Sequence, residues 1–243
     1  SDAYLTERVL VPKRAVQHSI ADFLDRKTQA IDELIRKKER LIELLQEKRQ
    51  ALITHAVTKG LDPSVPMKDS GVEWLGEIPA HWSIIRVKHT VSFTTSGSRG
   101  WAEYYTDDPS KPVFLQSGNL GENLDLDWAS IQYVDPPSGA EGARTRLKNG
   151  DVLICITGAR TGNIAHASGI DSVVYINQHV ALLRPVRSAI STEFLAYALK
   201  SRPSFVQLAM SQYGGTKQGL GLEDIRDIWI AAPPREEQDH LVE

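Results

Sequence analysis

The sequence predicts an α+β protein, in which a long helix of coiled-coil type leads into a mixed α/β globular domain. Three observations carry this expectation. The stretch Val16 to Val57 holds an apolar repeat that no Pro or Gly interrupts. From Ile84 the texture changes to short β-like runs separated by turn residues. Helix signals return only after Ser191, so strands come first and helices follow, with no regular βαβ alternation.

In chain order, residues 1–12 read as a leading strand-like segment with Val9, Leu10 and Val11, ending at Pro12. Residues 13–58 form the long helix. Leu24 to Ile31, Leu34 to Leu41, Ile35 to Ile42 and Leu45 to Leu52 are steps of seven, the seam of a coiled coil and not the broader face of a surface helix. Lys, Glu, Arg, Gln and Ala, all good helix formers, fill the polar positions. At 1.5 Å per residue the helix is roughly 60 Å long, too long to bury its stripe on one ordinary domain, so it calls for a second helix. The seam Leu24, Ile31, Leu34, Ile35, Leu41, Ile42, Leu45 and Leu52 is imperfect, because Lys38, Lys48 and Arg49 fall on or near it. A long amphipathic helix capping its own domain is the alternative.

Lys59, a left-handed Gly60, Pro63 and Pro66 end the helix. Residues 59–83 are a connector whose Trp74, Leu75, Ile78 and Trp82 are too apolar for a free linker, so it should pack onto the domain at 84–232. Candidate strands there are 84–87, 112–115, 131–134, 152–156, 173–176 and 180–183. Ser191 should cap a helix running to about Lys200, Ser204 should cap a second ending at Gly214-Gly215, and Leu222 to Asp227 should add a helical turn. Residues 233–243 open a further helix. There Pro233, Arg235, Gln238 and Leu241 echo Pro12, Arg14, Gln17 and Ile20 at a constant offset, so the chain reads as one unit of a tandem duplication, beam plus domain.

Composition is that of an ordinary globular protein, 41% hydrophobic and 24% charged, with no apolar run long enough for a membrane span. The single Cys155 lies in an apolar run, where a buried strand residue is expected and no intrachain disulfide can form, which points to a cytoplasmic location. The net charge of −3 does not advertise a nucleic-acid partner, yet between Lys13 and Lys59 eleven Lys/Arg face seven Asp/Glu. Asp135-Pro-Pro-Ser138 resembles the D-P-P-aromatic signature of amino-methyltransferases. Its fourth residue is not aromatic and no glycine-rich cofactor loop precedes it, so it reads as a turn. Gly214-Gly-Thr-Lys217 fails the P-loop spacing, and the seven histidines show no metal-ligand spacing. No catalytic constellation stands out.

What does stand out is a set of glycine loops carrying donors: Thr95 to Trp101, Gln116 to Asn119, Thr157 to Gly162 and Gly214 to Gly219. Glycine lets backbone approach a ligand closely, and Ser, Thr, Gln, Lys and Arg bond phosphates and base edges. The candidate contact residues are Ser96, Ser98, Arg99, Tyr104, Thr157, Arg160, Thr161, Thr216, Lys217 and Gln218. Polar glycine loops also serve as plain turns between strands, and the residues alone leave both readings open.

A family resemblance bears on the choice. Ile20 to Thr28, Lys37 to Arg49 and Ala51 to Val57 resemble the central helix of the specificity (S) subunit of Type I restriction–modification systems. Asp69 to Trp82 is similar to the entry of that family's target-recognition domain. Ser96 to Trp101, Gly150 to Ile154 with Gly158, Ile176 to Val180 and Ile230 to Gln238 resemble its recurring landmarks. The resemblance covers nearly the whole chain but only about half a subunit, with one domain, one helix and a stub. It implies a non-catalytic subunit that reads one half of a bipartite target in double-stranded DNA. It also implies modification and restriction subunits as partners, with S-adenosylmethionine, ATP and Mg²⁺ used there and no cofactor bound by this chain. The uncovered seam implies an antiparallel homodimer. A stand-alone adenine-N6 methyltransferase and a structural coiled-coil adaptor are the rival expectations.

Overall fold

The computed structural model describes residues 11–137, 139–213 and 219–242. The chain divides into two compact units, Ser1–Arg49 and Gln50–Glu243. Helix α1, Arg14–Lys59, runs through the division. In its first unit the seam residues Leu24, Ile31, Leu34, Ile35, Leu41, Ile42 and Leu45 are all about half exposed. The leading segment lies outside the described residues up to position 10.

The second unit begins with the last turns of α1. Gln50 donates to the carbonyl of Lys200 at 2.8 Å, the Arg202 N–H donates to Thr54 Oγ1 at 3.1 Å, and Val57 is buried. Gly60 takes the left-handed cap with φ +76° and closes the helix by bonding Ala56 O. The connector makes a hairpin of β1 (Met67–Asp69) and β2 (Glu77–Pro79) and buries Leu75, Ile78 and Trp82.

Among the described residues ten further strands and five α-helices follow. They are β3 (Ser83–Arg86), β4 (Val91–Ser96), β5 (Tyr105–Thr106), β6 (Val113–Leu115), β7 (Gln132–Val134), α2 (Ala140–Thr145), β8 (Val152–Cys155), β9 (Ile164–His166), β10 (Val174–Ile176) and β11 (Val180–Pro185). Helices α3 (Thr192–Lys200), α4 (Arg202–Tyr213) and α5 (Leu222–Arg226), strand β12 (Trp229–Ala232) and helix α6 (Arg235–His240) complete it. All six expected strands are present within a residue or two. Ser191 sits at the N-cap of α3, but its side chain makes no capping bond. The second helix starts at Arg202 and not at Ser204. Pro203 is accommodated in its first turn, where a missing N–H costs nothing, and Ser204 Oγ instead bonds the carbonyl of Ala198.

The sheets explain the sequence texture. Of the two four-stranded sheets, one has the order β4-β11-β8-β9, all antiparallel, and the other the order β10-β6-β7-β5, with β10 and β6 parallel; β12 pairs with β3 apart from both. Val152, Ile154, Ala181 and Leu183 belong to the core shared with α3, α4 and α5. Their alternating neighbours Leu153, Cys155, Val180 and Leu182 belong to the core shared with the second sheet. The β8–β11 pair is therefore the middle of the layers, buried on both faces, which is why these two strands read as unbroken apolar runs.

Gly97 follows β4 where the chain passes the β10–β11 turn. A Cβ there would lie 2.1 Å from the carbonyl oxygen of Asn177 and 2.2 Å from that of Ile176. Gly97→Ala should lose about 1–3 kcal/mol of folding stability in urea melts, while Gly118→Ala, which meets open space, should melt like the parent.

Candidate nucleic-acid interface

Four strands end at one edge. Ala181 pairs with Ser96 and Val180 with Cys155, so the ends of β4 and β8 meet the start of β11. Ile176 pairs with Leu115, so β10 and β6 end side by side. The Ser98 N–H bonds Ile176 O, and the Asn177 N–H bonds Leu115 O, stitching the two groups together. The loops after β4, β6, β8 and β10 thus emerge along a common rim. Leu220, beyond the fourth glycine loop, also lies at this edge, its N–H donating to Ile156 O at 2.8 Å. Thr216, Lys217 and Gln218 lie outside the described residues.

The rim is held by its own polar groups. Arg160 is exposed, and its Nη1 donates to the carbonyls of Gly118 and Leu120 at 3.0 and 3.3 Å, tying the 157–162 loop to the 116–120 loop. These are backbone carbonyls, not an acidic partner. Thr161 Oγ1 closes its own loop on Gly158 O. Thr157 Oγ1 bonds His179 Nδ1, and Gln178 Nε2 lies 3.0 Å from His179 Nε2. Arg144, from α2, donates to Thr95 Oγ1 and to Ser96 O.

The expected contact residues therefore divide. Arg99 is exposed at the rim, its backbone N–H on the Glu141 carboxylate. Ser96, Thr157, Arg160 and Thr161 line the rim while also bonding within it. Ser98 is fully buried, its hydroxyl on Thr145 Oγ1 at 2.9 Å, so as placed it supports the loop and does not face a ligand. Tyr104 is half-buried and packs on the cluster of Trp101, Phe114 and Val134. Sequence reasoning did not single out Arg144, Asn177, Gln178 or His179 as rim residues. The available signal was a polar triplet, Asn177-Gln-His179, between two apolar β-runs.

Other motifs resolve as structure. Asp135 Oδ2 lies 2.8 Å from Lys111 Nζ, its backbone N–H bonds Tyr104 O, and residues 135–137 carry no regular element; Ser138 lies outside the described residues. Burial pushes the Cys155 thiol above its ordinary pKa, away from the thiolate a nucleophile needs. Among the described residues no three His, Cys, Asp or Glu side chains cluster as metal ligands.

Residues 114–243 match the family model described as "Type I restriction modification DNA specificity domain". The chain belongs to that family. Among curated relatives, the Type I restriction enzyme MjaVIII specificity subunit of Methanocaldococcus jannaschii is 22% identical over 239 residues, 97% of this chain and 54% of the relative. The EcoBI specificity subunit of Escherichia coli is 23% identical over 238 residues, 96% of this chain and 49% of the relative. The chain spans about half the length of these relatives. Solved structures share the fold, a long helix followed by a mixed domain. The HsdS subunit from Thermoanaerobacter tengcongensis aligns with TM-score 0.53 at 20% identity over 89% of this chain and 47% of that one. The S subunit from M. genitalium aligns with TM-score 0.53 at 18% identity over 95% of this chain and 54% of that one.

The Arg160 clamp gives a direct test within this family's fold. Arg160→Ala should speed amide hydrogen exchange in both the 116–120 and 157–162 loops while the β8–β11 ladder keeps its protection. It should cost about 1.5–3 kcal/mol, since the lost bonds have a charged donor.

Proposed function

We propose that the chain is a sequence-specific DNA-recognition module that reads one half of a bipartite target and directs partner subunits to it. The observation that carries this is the rim, where glycine loops bearing Arg99, Arg160, Thr157, Thr161 and Ser96 reach one edge of a rigid sheet in a DNA-specificity fold. Duplex DNA is the substrate; Arg99 and Arg160, with Lys217 and Gln218, are the residues proposed for base edges, and the hydroxyls for phosphates. Adenine methylation with S-adenosylmethionine, and cleavage with ATP and Mg²⁺, fall to modification and restriction subunits. This chain itself binds none of these cofactors and turns nothing over. Two observations count against a stand-alone methyltransferase: Asp135 is spent on Lys111, and nothing aromatic follows its two prolines. Among the described residues no helix is long and apolar enough to cross a membrane, and the proposed site of action is the cytoplasm.

Binding to randomised duplexes tests the reading. The chain should enrich a short sequence, and affinity should fall steeply as salt rises from 50 to about 200 mM, because bound phosphates release counterions. Arg99→Ala should relax preference at one base pair by about 1–3 kcal/mol. Salt-independent binding, or unchanged preference in both Arg99→Ala and Lys217→Ala, refutes the assignment. Methyl transfer by the purified chain alone would refute the division of labour.

The second part of the proposal is an antiparallel homodimer through α1. Burying even half of the eight seam side chains contributes several kcal/mol at about 1.5–3 kcal/mol each, before association costs. A two-fold pair is the simplest closed arrangement and presents the same half-site twice in inverted orientation. Sedimentation at micromolar concentration should show a dimer, and Leu34→Glu with Leu41→Glu should dissociate it. A well-behaved monomer of the parent chain refutes this part and leaves DNA reading untouched.

A further inference from the structure

The turn between β10 and β11 puts an amide side chain on the rim that the glycine loops do not account for. The Val180 N–H bonds Asn177 O at 3.1 Å, so Gln178 and His179 are the two corner residues of a β-turn. The turn is fixed from several sides. Asn177 is buried, its N–H bonds Leu115 O, and its Oδ1 accepts the His179 N–H at 3.0 Å. The His179 carbonyl accepts the Ile156 N–H at 2.9 Å, and Gly97 passes Asn177 O so closely that a Cβ has no room. Gln178 and His179 themselves are half-buried, at the edge where the loops emerge.

The His179 ring sets how Gln178 presents its amide. Gln178 Nε2 lies 3.0 Å from His179 Nε2, and Thr157 Oγ1 bonds His179 Nδ1. An amide nitrogen only donates, so the ring nitrogen facing it carries no proton. The proton of the neutral ring is therefore on Nδ1 and is donated to Thr157 Oγ1, which frees the Thr157 hydroxyl proton for another acceptor. With one N–H spent on the ring, the Gln178 amide keeps its other N–H and Oε1. That donor–acceptor pair is the one adenine matches in the major groove through N7 and N6. Turned over, the amide would place its oxygen on the ring and offer two N–H groups, which suit N7 and O6 of guanine instead. The ring holds the amide in one orientation before DNA arrives, so less freedom is lost on binding.

We propose that Gln178 reads an adenine, and that His179 is the positioning residue that makes the base an adenine and not a guanine. The assignment rests on the DNA-reading function proposed above and narrows it to one base pair.

The full chain and duplexes of its enriched sequence test this. At one adenine of the site, replacement by guanine, or by 7-deazaadenine, which lacks the N7 acceptor, should weaken binding by the wild-type chain about tenfold or more. Gln178→Ala should bind the unmodified and the 7-deaza duplex alike and keep its preference at the other positions. His179→Phe retains a ring but neither nitrogen, and should lose most of the adenine-over-guanine discrimination at that position alone. Neither variant alters the β8–β11 ladder, which amide exchange should show protected in both. Long-range ¹H–¹⁵N correlations in the wild-type chain, at mildly alkaline pH, should place the His179 ring proton on Nδ1. A proton on Nε2, or discrimination intact in His179→Phe, overturns the positioning role. Sensitivity to 7-deazaadenine at no adenine of the site, or unchanged in Gln178→Ala, overturns the adenine contact and leaves DNA reading standing. A chain that enriches no sequence overturns both.

Discussion

The β8–β11 pair, buried on both faces, is the constraint on which the rest of the domain depends. Its alternate residues serve two cores at once: Ile154 and Leu183 on the helix side, Leu153 and Leu182 on the sheet side. A slip of one residue would send every side chain into the wrong core, so register is fixed from both directions. The far end is pinned as well. Arg184 makes a two-pronged bond to Asp151, at 2.8 and 2.7 Å, and the Asp151 side chain is only 2% exposed. Losing either partner would strand a buried charge, a costly defect that holds β11 to the entry of β8. With register set, the loops at the opposite end have no freedom in where they start.

Charge at that end is used economically. The chain is net acidic, yet the rim collects Arg99, Arg144 and Arg160. Arg144 and Arg160 spend N–H groups on carbonyls of neighbouring loops. A guanidinium has five donors in a fixed fork, so one that braces a loop through Nη1 still has others to turn outward. The loop that presents Arg160 is thereby tied to the 116–120 loop by the same side chain. Stiff loops suit base readout, which depends on placing donors against a groove edge without ordering them first.

Much of this was legible in the sequence, and the illegible part has a pattern. The long helix, its glycine cap and the buried strands announce themselves because each is a repeated apolar signal with a clear stop. Strand β4, Val-Ser-Phe-Thr-Thr-Ser, is not legible as a strand because four of its six residues are polar; it is an edge strand whose pairing with β11, not its composition, makes it a strand. Helix α2 was missed because the six residues Ala-Glu-Gly-Ala-Arg-Thr carry no apolar period. At the rim, spacing identified the loops and side-chain type nominated the residues. It could not separate Ser98, turned inward to Thr145, from Arg99, turned outward one position later. That distinction belongs to the close passage of Gly97 over residues 176 and 177, which is a tertiary fact.

Helix α1 shows how local and assembly-level stability divide along one element. Its last turns are held by the domain, through Gln50 to Lys200, Thr54 to Arg202 and buried Val57. Its first turn is held by Gln17 on Pro12. Between them lies a long stretch whose apolar stripe is exposed within one chain. Helix propensity and surface ion pairs such as Lys37–Glu33 contribute only tenths of a kcal/mol each there. Most helical stability in proteins comes from packing an apolar face, and among the described residues this face is about half exposed. A helical middle and a partner helix are therefore linked: whatever covers Leu34, Ile35, Leu41 and Ile42 stabilises the helix by mass action, and loss of that partner releases it. On the proposed dimer, the spacing between its two domains would be set by the same equilibrium that joins them, since an α1 that frays in the middle is no longer a rigid spacer.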